Sequence, residues 1–176
     1  MKKRTYDETT WYDPRLAILQ STIQGKGMFA SEPIRKGEII CIIGGTVFND
    51  DEFQAYIKTV SRWNAVQIGE DTHLVDLSVP PEEMDGSMNH CCNSNTWMLD
   101  EVTVEARRDI AEGEEVTIDY ALQTGGSDWY MECHCGSPLC RNIVSGDDWK
   151  KSDVQEQYMG HFAPFINGRI RKLKGD

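Results

Sequence analysis

The stretch Asn89-His90-Cys91-Cys92-Asn93-Ser94-Asn95 decides how the rest of the chain is interpreted. Within seven residues it holds three amides, one imidazole and two thiols. Side chains of this kind compete for backbone hydrogen bonds and therefore disfavour the interiors of helices and strands. If they are buried, each polar group needs a partner. On composition alone, an exposed loop and a functional site explain this stretch equally well, so the surrounding segments must decide.

Length and charge limit the classes of function. A chain of 176 residues suits one domain, large enough to fold without a metal or a disulfide. The net charge is −11, from 18 basic and 29 acidic residues. This balance argues against non-specific nucleic-acid binding, which needs clustered Lys and Arg. It favours a basic partner, although acidity also serves solubility alone.

Targeting signals are missing from the sequence. No apolar run approaches the length of a membrane span, and Asp7 and Glu8 stand where a signal peptide needs apolar residues. The sequence therefore predicts an intracellular protein without membrane contact, cytoplasmic or, in a eukaryote, nuclear. In such a compartment the six cysteines are expected to be thiols or metal ligands rather than disulfides.

Short apolar runs separated by turn residues predict a mainly β domain. Helices are expected over residues 50–60, from apolar residues at helical spacing, and over 148–159, before Gly160. Residues 1–15 are polar and predict a loose arm, and residues 169–174 predict a solvated basic tail. The predicted strands are 16–19, 39–43, 46–48, 65–68, 73–77, 96–99, 101–106 and 116–120, and apolar character also resumes at 28–30.

Three cysteines near the C-terminal end, Cys133, Cys135 and Cys140, form a C-x-C-x4-C pattern. Zinc prefers four thiolate or imidazole ligands in a tetrahedron, so this pattern is one ligand short. His134 lies between two of the thiols in sequence, where geometry disfavours it as the fourth. Three reduced, unligated thiols are the alternative to a metal site. A distant fourth ligand would have to be Cys41, Cys91, Cys92 or His90.

Other catalytic patterns are weak. The sequence has neither G-x-S-x-G nor a P-loop. A thiol nucleophile at Cys91 or Cys92 with His90 as its base is disfavoured, because adjacent residues rarely place a thiol and its base within reach. Tyr120 lies at the end of a predicted strand, where a tyrosine is more often a core or interface residue than a catalyst.

Four segments, taken together, resemble the SET-domain protein lysine methyltransferases. Residues 25–29 are similar to the family's G-x-G segment, and the Asn89–Asn95 stretch to its N-H-x-C-x-x-N. Residues 113–120 are similar to its G-E-E-L-T-x-D-Y, and residues 133–142 to the post-SET C-x-C-G-x-x-x-C-R-N. Their order and spacing agree over roughly residues 15–145.

The resemblance implies a mainly β fold, the SET-domain β-clip. It consists of small curved sheets with a knot-like core, short helices and a C-terminal zinc-binding post-SET segment. The implied organisation is an N-terminal arm over 1–14, the SET domain over 15–122, the zinc segment over 123–145, and a helix with a basic tail over 146–176.

The resemblance also implies an activity, which is methyl transfer from S-adenosylmethionine to the ε-amine of lysine in a histone-like or other Lys-rich protein. Tyr120 would be catalytic and would also contact the cofactor. Lys26, Gly27 and Met28 would present backbone to the cofactor, and Asn89 and His90 would hold its carboxylate, amino and adenine ends. Cys92 would join Cys133, Cys135 and Cys140 around Zn²⁺, leaving Cys41 and Cys91 as spectators.

The chain departs from the family pattern at four places. Ile42-Ile43-Gly44 replaces Tyr-x-Gly, so one channel aromatic is missing. Trp63 or Trp97 could substitute for it, although core packing is the more common role for either. Gly86-Ser87 replaces Arg-Phe, and Ser94 stands where proline is usual. Ile118, where relatives with Phe or Tyr tune the product, predicts room for more than one methyl group.

Two further functions remain open at this stage. One is a catalytically weak SET-like module that binds lysine peptides, which the missing Tyr-x-Gly and Arg-Phe features favour. The other is a zinc-stabilised structural domain that does not use the cofactor.

Overall fold

A computed structural model describes residues 4–78, 88–126 and 128–175. Among these residues there are three α-helices, α1 (Asp50–Ile57), α2 (Ser152–Gln157) and α3 (Pro164–Lys174). Two 3-10 turns cover Tyr120–Leu122 and Asp148–Lys150. The strands are β1 (Trp11–Tyr12), β2 (Leu16–Gln20), β3 (Lys26–Ala30), β4 (Ile39–Ile42), β5 (Thr46–Asn49), β6 (Ala65–Gly69), β7 (Thr72–Val75), β8 (Asn89–His90), β9 (Thr96–Met98), β10 (Thr103–Ala106), β11 (Glu115–Ile118), β12 (Tyr130–Glu132) and β13 (Ile143–Ser145).

The strands form four small sheets, in the orders β1-β4-β10-β9, β2-β3-β11-β8, β5-β7-β6 and β12-β13. All the named strand pairs are antiparallel except β8 with β11, which run parallel. The predicted fold class, several small sheets with few helices and a cysteine cluster near the C-terminal end, is confirmed.

Two predicted elements are interrupted by local side-chain hydrogen bonds or turns. The strand predicted over 116–120 ends at Ile118. There the Asp119 carboxylate accepts from the amide of Ala121 at 3.0 Å and begins a 3-10 turn at Tyr120. The helix predicted over 148–159 is divided into a 3-10 turn and α2.

The N-terminal arm is not loose, so that prediction is wrong for the described residues. Its backbone follows β4, with the amide of Asp13 donating to the carbonyl of Ile40 at 2.9 Å. The amide of Gly45 donates to the carbonyl of Asp7 at 2.7 Å. A Cβ at Gly44 would lie 2.1 Å from the carbonyl oxygen of Thr9, so the glycine permits this close approach.

The C-terminal residues belong to the main hydrophobic core. Tyr158, Ile166 and Ile170 are buried there, so the predicted solvated tail begins only at residue 171. The sequence predicted that Ile170 belongs to the solvated basic tail, because this apolar residue lies between two arginines. Further members of this core are Ile34, Ile40, Val104, Ile110, Val116, Leu122, Trp149, Val154 and Phe162.

Among the described residues, no helix combines the length and apolar character needed to cross a bilayer. The Gly86-Ser87 pair lies outside the described residues.

Candidate functional site

The Asn89–Asn95 stretch is mostly buried and fully engaged, so the exposed-loop interpretation does not apply to it. Strand β8 pairs with β11, placing Asn89 beside Thr117 and His90 beside Ile118. The Asn89 amide donates to Glu115 Oε1 at 2.7 Å. Asn95 accepts from the backbone amide of Thr117 at 2.8 Å and donates to the carbonyl of Glu115 at 2.8 Å. The Asn89 amide therefore ties β8 to β11, and the Asn95 amide ties the residue before β9 to β11.

The His90 ring joins two other predicted site residues. Its Nδ1 accepts the backbone N–H of Tyr120 at 3.1 Å, so that nitrogen carries no proton. Burial lowers the pKa of His90 to about 4, so the ring is neutral. The remaining proton is therefore on Nε2, which lies 3.2 Å from Cys92 Sγ and donates to it. The His90 imidazole therefore hydrogen-bonds both the backbone at the start of the Tyr120 turn and the thiol of Cys92.

Four cysteines converge from two distant parts of the chain. The Sγ atoms of Cys92, Cys133, Cys135 and Cys140 all lie within 4.8 Å of one another, and those of Cys92 and Cys133 are 3.8 Å apart. With Zn–S bonds of about 2.3 Å, a tetrahedral site needs sulfur–sulfur separations of roughly 3.8 Å. The backbone amide of Arg141 also donates to Cys92 Sγ, at 3.3 Å. The donor set therefore fits a zinc ion.

Without a metal, the thiols differ in acidity. Burial raises the pKa of Cys92 to about 12. Burial also acts on Cys135, but backbone hydrogen bonds outweigh it and lower the pKa of that thiol to about 7. Cys41 and Cys91 are not part of this four-thiol group; burial raises their pKa values to about 12 and about 11.

A buried ion-pair network links the cysteines to the rest of the chain. The Arg141 guanidinium donates to both oxygens of Asp119 at 2.7 Å. It also pairs with Asp148, at 2.6 Å from Nε to Oδ2. Burial opposes the charge on Arg141, but the two carboxylates raise its pKa overall. Removing one partner of such a network leaves a buried charge uncompensated.

A cavity of about 500 Å³ lies beside Tyr120. Burial raises the pKa of Tyr120, so its hydroxyl stays protonated, and it donates to the carbonyl of Met88 at 3.2 Å. The rings of Tyr120 and Trp129 are 6.1 Å apart. Aromatic side chains from several segments line the cavity, namely Tyr12, Phe53, Trp63, His73, Tyr120 and Trp129.

Of the other predicted site residues, some line the cavity and some do not. Met28 and Ile118 lie on the cavity wall. Lys26 is exposed at the start of β3, and Gly27 is buried beneath it. A Cβ at Gly27 would meet Glu115 Oε1 at 2.1 Å and Asn89 Nδ2 at 2.9 Å, so a larger residue there would displace these two hydrogen-bonded side chains.

The structure places the residues that replace Tyr-x-Gly and the two tryptophans that could substitute for the missing aromatic. Ile43 lines the cavity, whereas Ile42 is exposed. Of the two tryptophans considered as substitutes, Trp63 lines the cavity. Trp97 does not; it stacks on His161 with 3.4 Å between the rings and donates to Glu105 at 2.6 Å.

Ser94, at the position where proline is usual in the family, needs its backbone N–H. That amide donates to the hydroxyl of Tyr158 at 3.2 Å, and proline could not. Tyr158 lies between α2 and α3, and its neighbour Gln157 donates to the carbonyl of Cys92 at 2.9 Å. The sequence did not single out Tyr158, Tyr12 or Trp129 as site residues. For Tyr158 the available signal was its hydrogen-bond partner Ser94, which stands where proline is usual in the family.

Comparisons with known proteins agree with this geometry. A model of the SET domain matches residues 25–121, more than half of the chain, so the chain belongs to the SET-domain family. The match ends before the cysteines at 133–140, so the assignment of a post-SET motif stays a prediction.

Similar curated proteins include two from Drosophila melanogaster and one from Arabidopsis thaliana. Histone-lysine N-methyltransferase trithorax is 28% identical over 155 residues, covering 82% of this chain and 4% of the relative. Histone-lysine N-methyltransferase ash1 is 27% identical over 179 residues, covering 92% and 8%. Histone-lysine N-methyltransferase ASHH3, the plant protein, is 29% identical over 142 residues, covering 72% and 37%. The chain thus spans well under half the length of each.

Among solved structures, the methyltransferase domain of human Histone-lysine N-methyltransferase SETMAR is similar, with a TM-score of 0.56 and 20% identity. The likeness covers 73% of this chain and 57% of that one. It supports the fold assignment.

Proposed function

We propose that this chain transfers methyl groups from S-adenosylmethionine to the ε-amine of lysine in a basic protein. The observation that carries the proposal is the protonated Tyr120 hydroxyl beside the aromatic-lined cavity. Membership of the SET family and relatives named as histone-lysine methyltransferases support it. The net charge of −11 suits a Lys-rich substrate, histone-like or otherwise.

The cofactor is proposed to lie against β3 and β8. The backbone of Lys26, Gly27 and Met28 would face its methionine portion, and Asn89 and His90 its carboxylate, amino and adenine ends. The side chains of Asn89 and His90 are already hydrogen-bonded within the protein, so their backbone atoms are the better candidates for these contacts. When bound, the cofactor supplies a methyl group on a sulfonium, whose bond electrons stay on sulfur as the methyl moves to an amine.

The residues of the chain would align and desolvate the acceptor. The lysine amine must be neutral to attack, and a cavity lined by aromatic rings disfavours its charged form. Tyr120, held by His90 through its backbone and by Met88 through its hydroxyl, would orient the amine at the cavity end. Alignment of the two reacting atoms supplies most of the rate enhancement in such a displacement.

The four cysteines are proposed to hold Zn²⁺ as a post-SET site. Zinc would fix residues 133–140 against Cys92, and so against the His90 ring that supports Tyr120. The division of the chain into an arm, a SET domain, a zinc segment and a C-terminal helical part is likewise a proposal, as is an intracellular or, in a eukaryote, nuclear location.

The number of methyl groups transferred is proposed to depend on Ile118. Its side chain lies on the cavity wall, where an aliphatic group occupies less space than an aromatic one. We expect di- or trimethyl-lysine among the products when the cofactor is in excess.

The test is incubation with radiolabelled S-adenosylmethionine and mixed core histones, followed by mass spectrometry of the labelled peptides. The Tyr120→Phe variant keeps the ring and removes the hydroxyl, and should lose most activity, of the order of 10²-fold, while it still binds S-adenosylhomocysteine.

Three outcomes would contradict parts of this proposal. Full activity of Tyr120→Phe would remove the hydroxyl from the mechanism. Products containing only monomethyl-lysine would refute the role given to Ile118. Binding of basic peptides without any transfer would favour the lysine-peptide module instead.

A further inference from the structure

One row of side chains crosses the sheet that forms the cavity wall. Tyr12 on β1 is directly opposite Cys41 on β4, and Cys41 is directly opposite Val104 on β10. Side chains that are directly opposite in a sheet share a face. All three residues line the cavity. The register therefore directs the Tyr12 ring to the cavity.

The adjacent row lies on the other face of the same sheet. Trp11 is opposite Ile42, and Ile42 is opposite Thr103. Trp11 is 47% exposed and lines no part of this cavity. Ile43, which directly follows β4, also lines the cavity, and it is aliphatic. The aromatic surface in this part of the wall therefore comes from the N-terminal arm.

Tyr12 is held in place from both sides. The amide of Gly44 donates to Thr10 Oγ1 at 3.1 Å, which fastens the arm to the end of β4. The antiparallel pairing of Tyr12 with Cys41 fastens the following part of the arm to β4 itself. Because Tyr12 lines the cavity, its ring is placed to contact a ligand there. The residue is still 39% exposed.

We propose that Tyr12 is a specificity-determining residue, whose ring contacts the alkylammonium side chain of the acceptor lysine. This rests on the proposed function for the identity of the cavity's occupant. Because Tyr12 is 39% exposed, its ring can attract the ammonium as the side chain enters, before the amine is desolvated and loses its proton, and can then pack against the methylene groups. Arginine carries the same charge on a broader planar group, so the cavity should distinguish the two.

The experiment measures peptide binding and needs no turnover. Fluorescence anisotropy would compare fluorescein-labelled deca-lysine with deca-arginine, in the presence of S-adenosylhomocysteine. The arginine peptide controls for attraction to the acidic surface. We expect the wild-type chain to prefer lysine, Tyr12→Ala to weaken deca-lysine binding by about tenfold, and deca-arginine binding to change little.

Two further variants separate the ring from other effects. Tyr12→Phe keeps the ring and should retain the preference for lysine within about threefold, because only the hydroxyl is removed. Trp11→Ala alters the neighbouring residue on the opposite face and should leave both affinities unchanged. On histones, Tyr12→Ala should raise KM more than it lowers kcat.

The outcomes distinguish this inference from the proposed function. If Tyr12→Ala keeps the wild-type preference for lysine, or if the wild-type chain has none, the inference is overturned. If Tyr12→Phe loses as much as Tyr12→Ala, the hydroxyl rather than the ring is responsible, which also overturns it. A wild-type chain that prefers lysine but transfers no methyl group refutes the proposed function alone.

Discussion

Two C-terminal parts of the chain contact the same Asn89–Asn95 stretch by different means. The cysteine segment, residues 130–145, meets it through thiols, and its small cluster is built on Cys92, Cys133 and Val144. The helical segment, residues 148–174, meets it through Tyr158 and inserts a series of apolar side chains into the main core. The cysteine segment is thus attached at one point by a cluster of thiols, whereas the helical segment is attached by apolar contacts along its length.

The difference indicates what each segment needs in order to stay folded. A fully buried apolar side chain contributes about 1.5–3 kcal/mol, so the helical segment has its own source of stability. The cysteine segment buries few apolar groups, and burial opposes ionisation of the Cys92 thiol. A structural zinc ion contributes on the order of 10 kcal/mol, which would compensate for this. The two segments should therefore respond differently to metal removal and to mutation.

The largest effect is expected from Cys133→Ser or from a strong chelator. We expect loss of about one zinc per chain and rapid proteolysis within the cysteine segment, because its few buried apolar groups would stabilise it far less than a structural zinc ion. The helical segment should stay protected. Metal analysis and mass spectrometry of the proteolytic fragments measure both effects.

Cys91→Ser is the matched control, because Cys91 is adjacent to Cys92 but is not one of the four converging thiols. It should keep its zinc. Equal zinc loss in both variants, or an unchanged cleavage pattern after chelation, would contradict the proposed site.

A smaller but still large effect is expected from Tyr158→Ala. Its side chain is fully buried, so truncation should lower the free energy of unfolding by about 3–5 kcal/mol, measured by urea denaturation. Tyr130→Ala is the control, because Tyr130 is 75% exposed and should change stability by less than about 0.5 kcal/mol. Similar values for the two variants would show that the helical segment does not depend on its core contacts.

The smallest effect is expected from Ser94→Pro, which introduces the residue that is usual in the family. It removes the amide donor to Tyr158 and should lower the free energy of unfolding by about 1–3 kcal/mol. A double-mutant cycle with Tyr158→Phe measures the coupling of Ser94 to the Tyr158 hydroxyl, which both the amide and the Oγ of Ser94 contact. If Ser94→Pro is equally destabilising in both backgrounds, the amide–hydroxyl contact is not the reason for serine at this position.

Much of the site could be predicted from local patterns. The C-x-C-x4-C pattern indicated a metal site that was one ligand short, and the resemblance to the family supplied Cys92, whose sulfur lies with the other three. The polar Asn89–Asn95 stretch indicated a region where every group needs a partner, and the buried groups have them. Ligand number and hydrogen-bond satisfaction depend on residue type, so local patterns could indicate both groups of side chains; that the four thiols hold zinc stays a prediction.

Other features depended on contacts between residues far apart in the chain. The arm was predicted to be loose because its sequence is polar, yet backbone hydrogen bonds to Ile40 and Gly45, which are independent of side-chain type, fix it along β4. Tyr12 gave no signal of its own, because only the pairing with Cys41 determines which face its ring occupies. A shift of one residue would place Trp11 there instead.

The sequence by itself determined the fold class, the set of thiols available to a metal and the acidic character of the surface. The acidic surface and the mainly β character follow from the kinds of residue present and their spacing, whereas the β-clip and the place of Cys92 among the thiols came from the resemblance of four segments to the SET family. Only the tertiary structure decided which aromatic rings line the cavity, that His90 lies between Tyr120 and Cys92, and that the C-terminal helices belong to the core. These depend on strand register and on packing between distant segments, which the order of residues does not display.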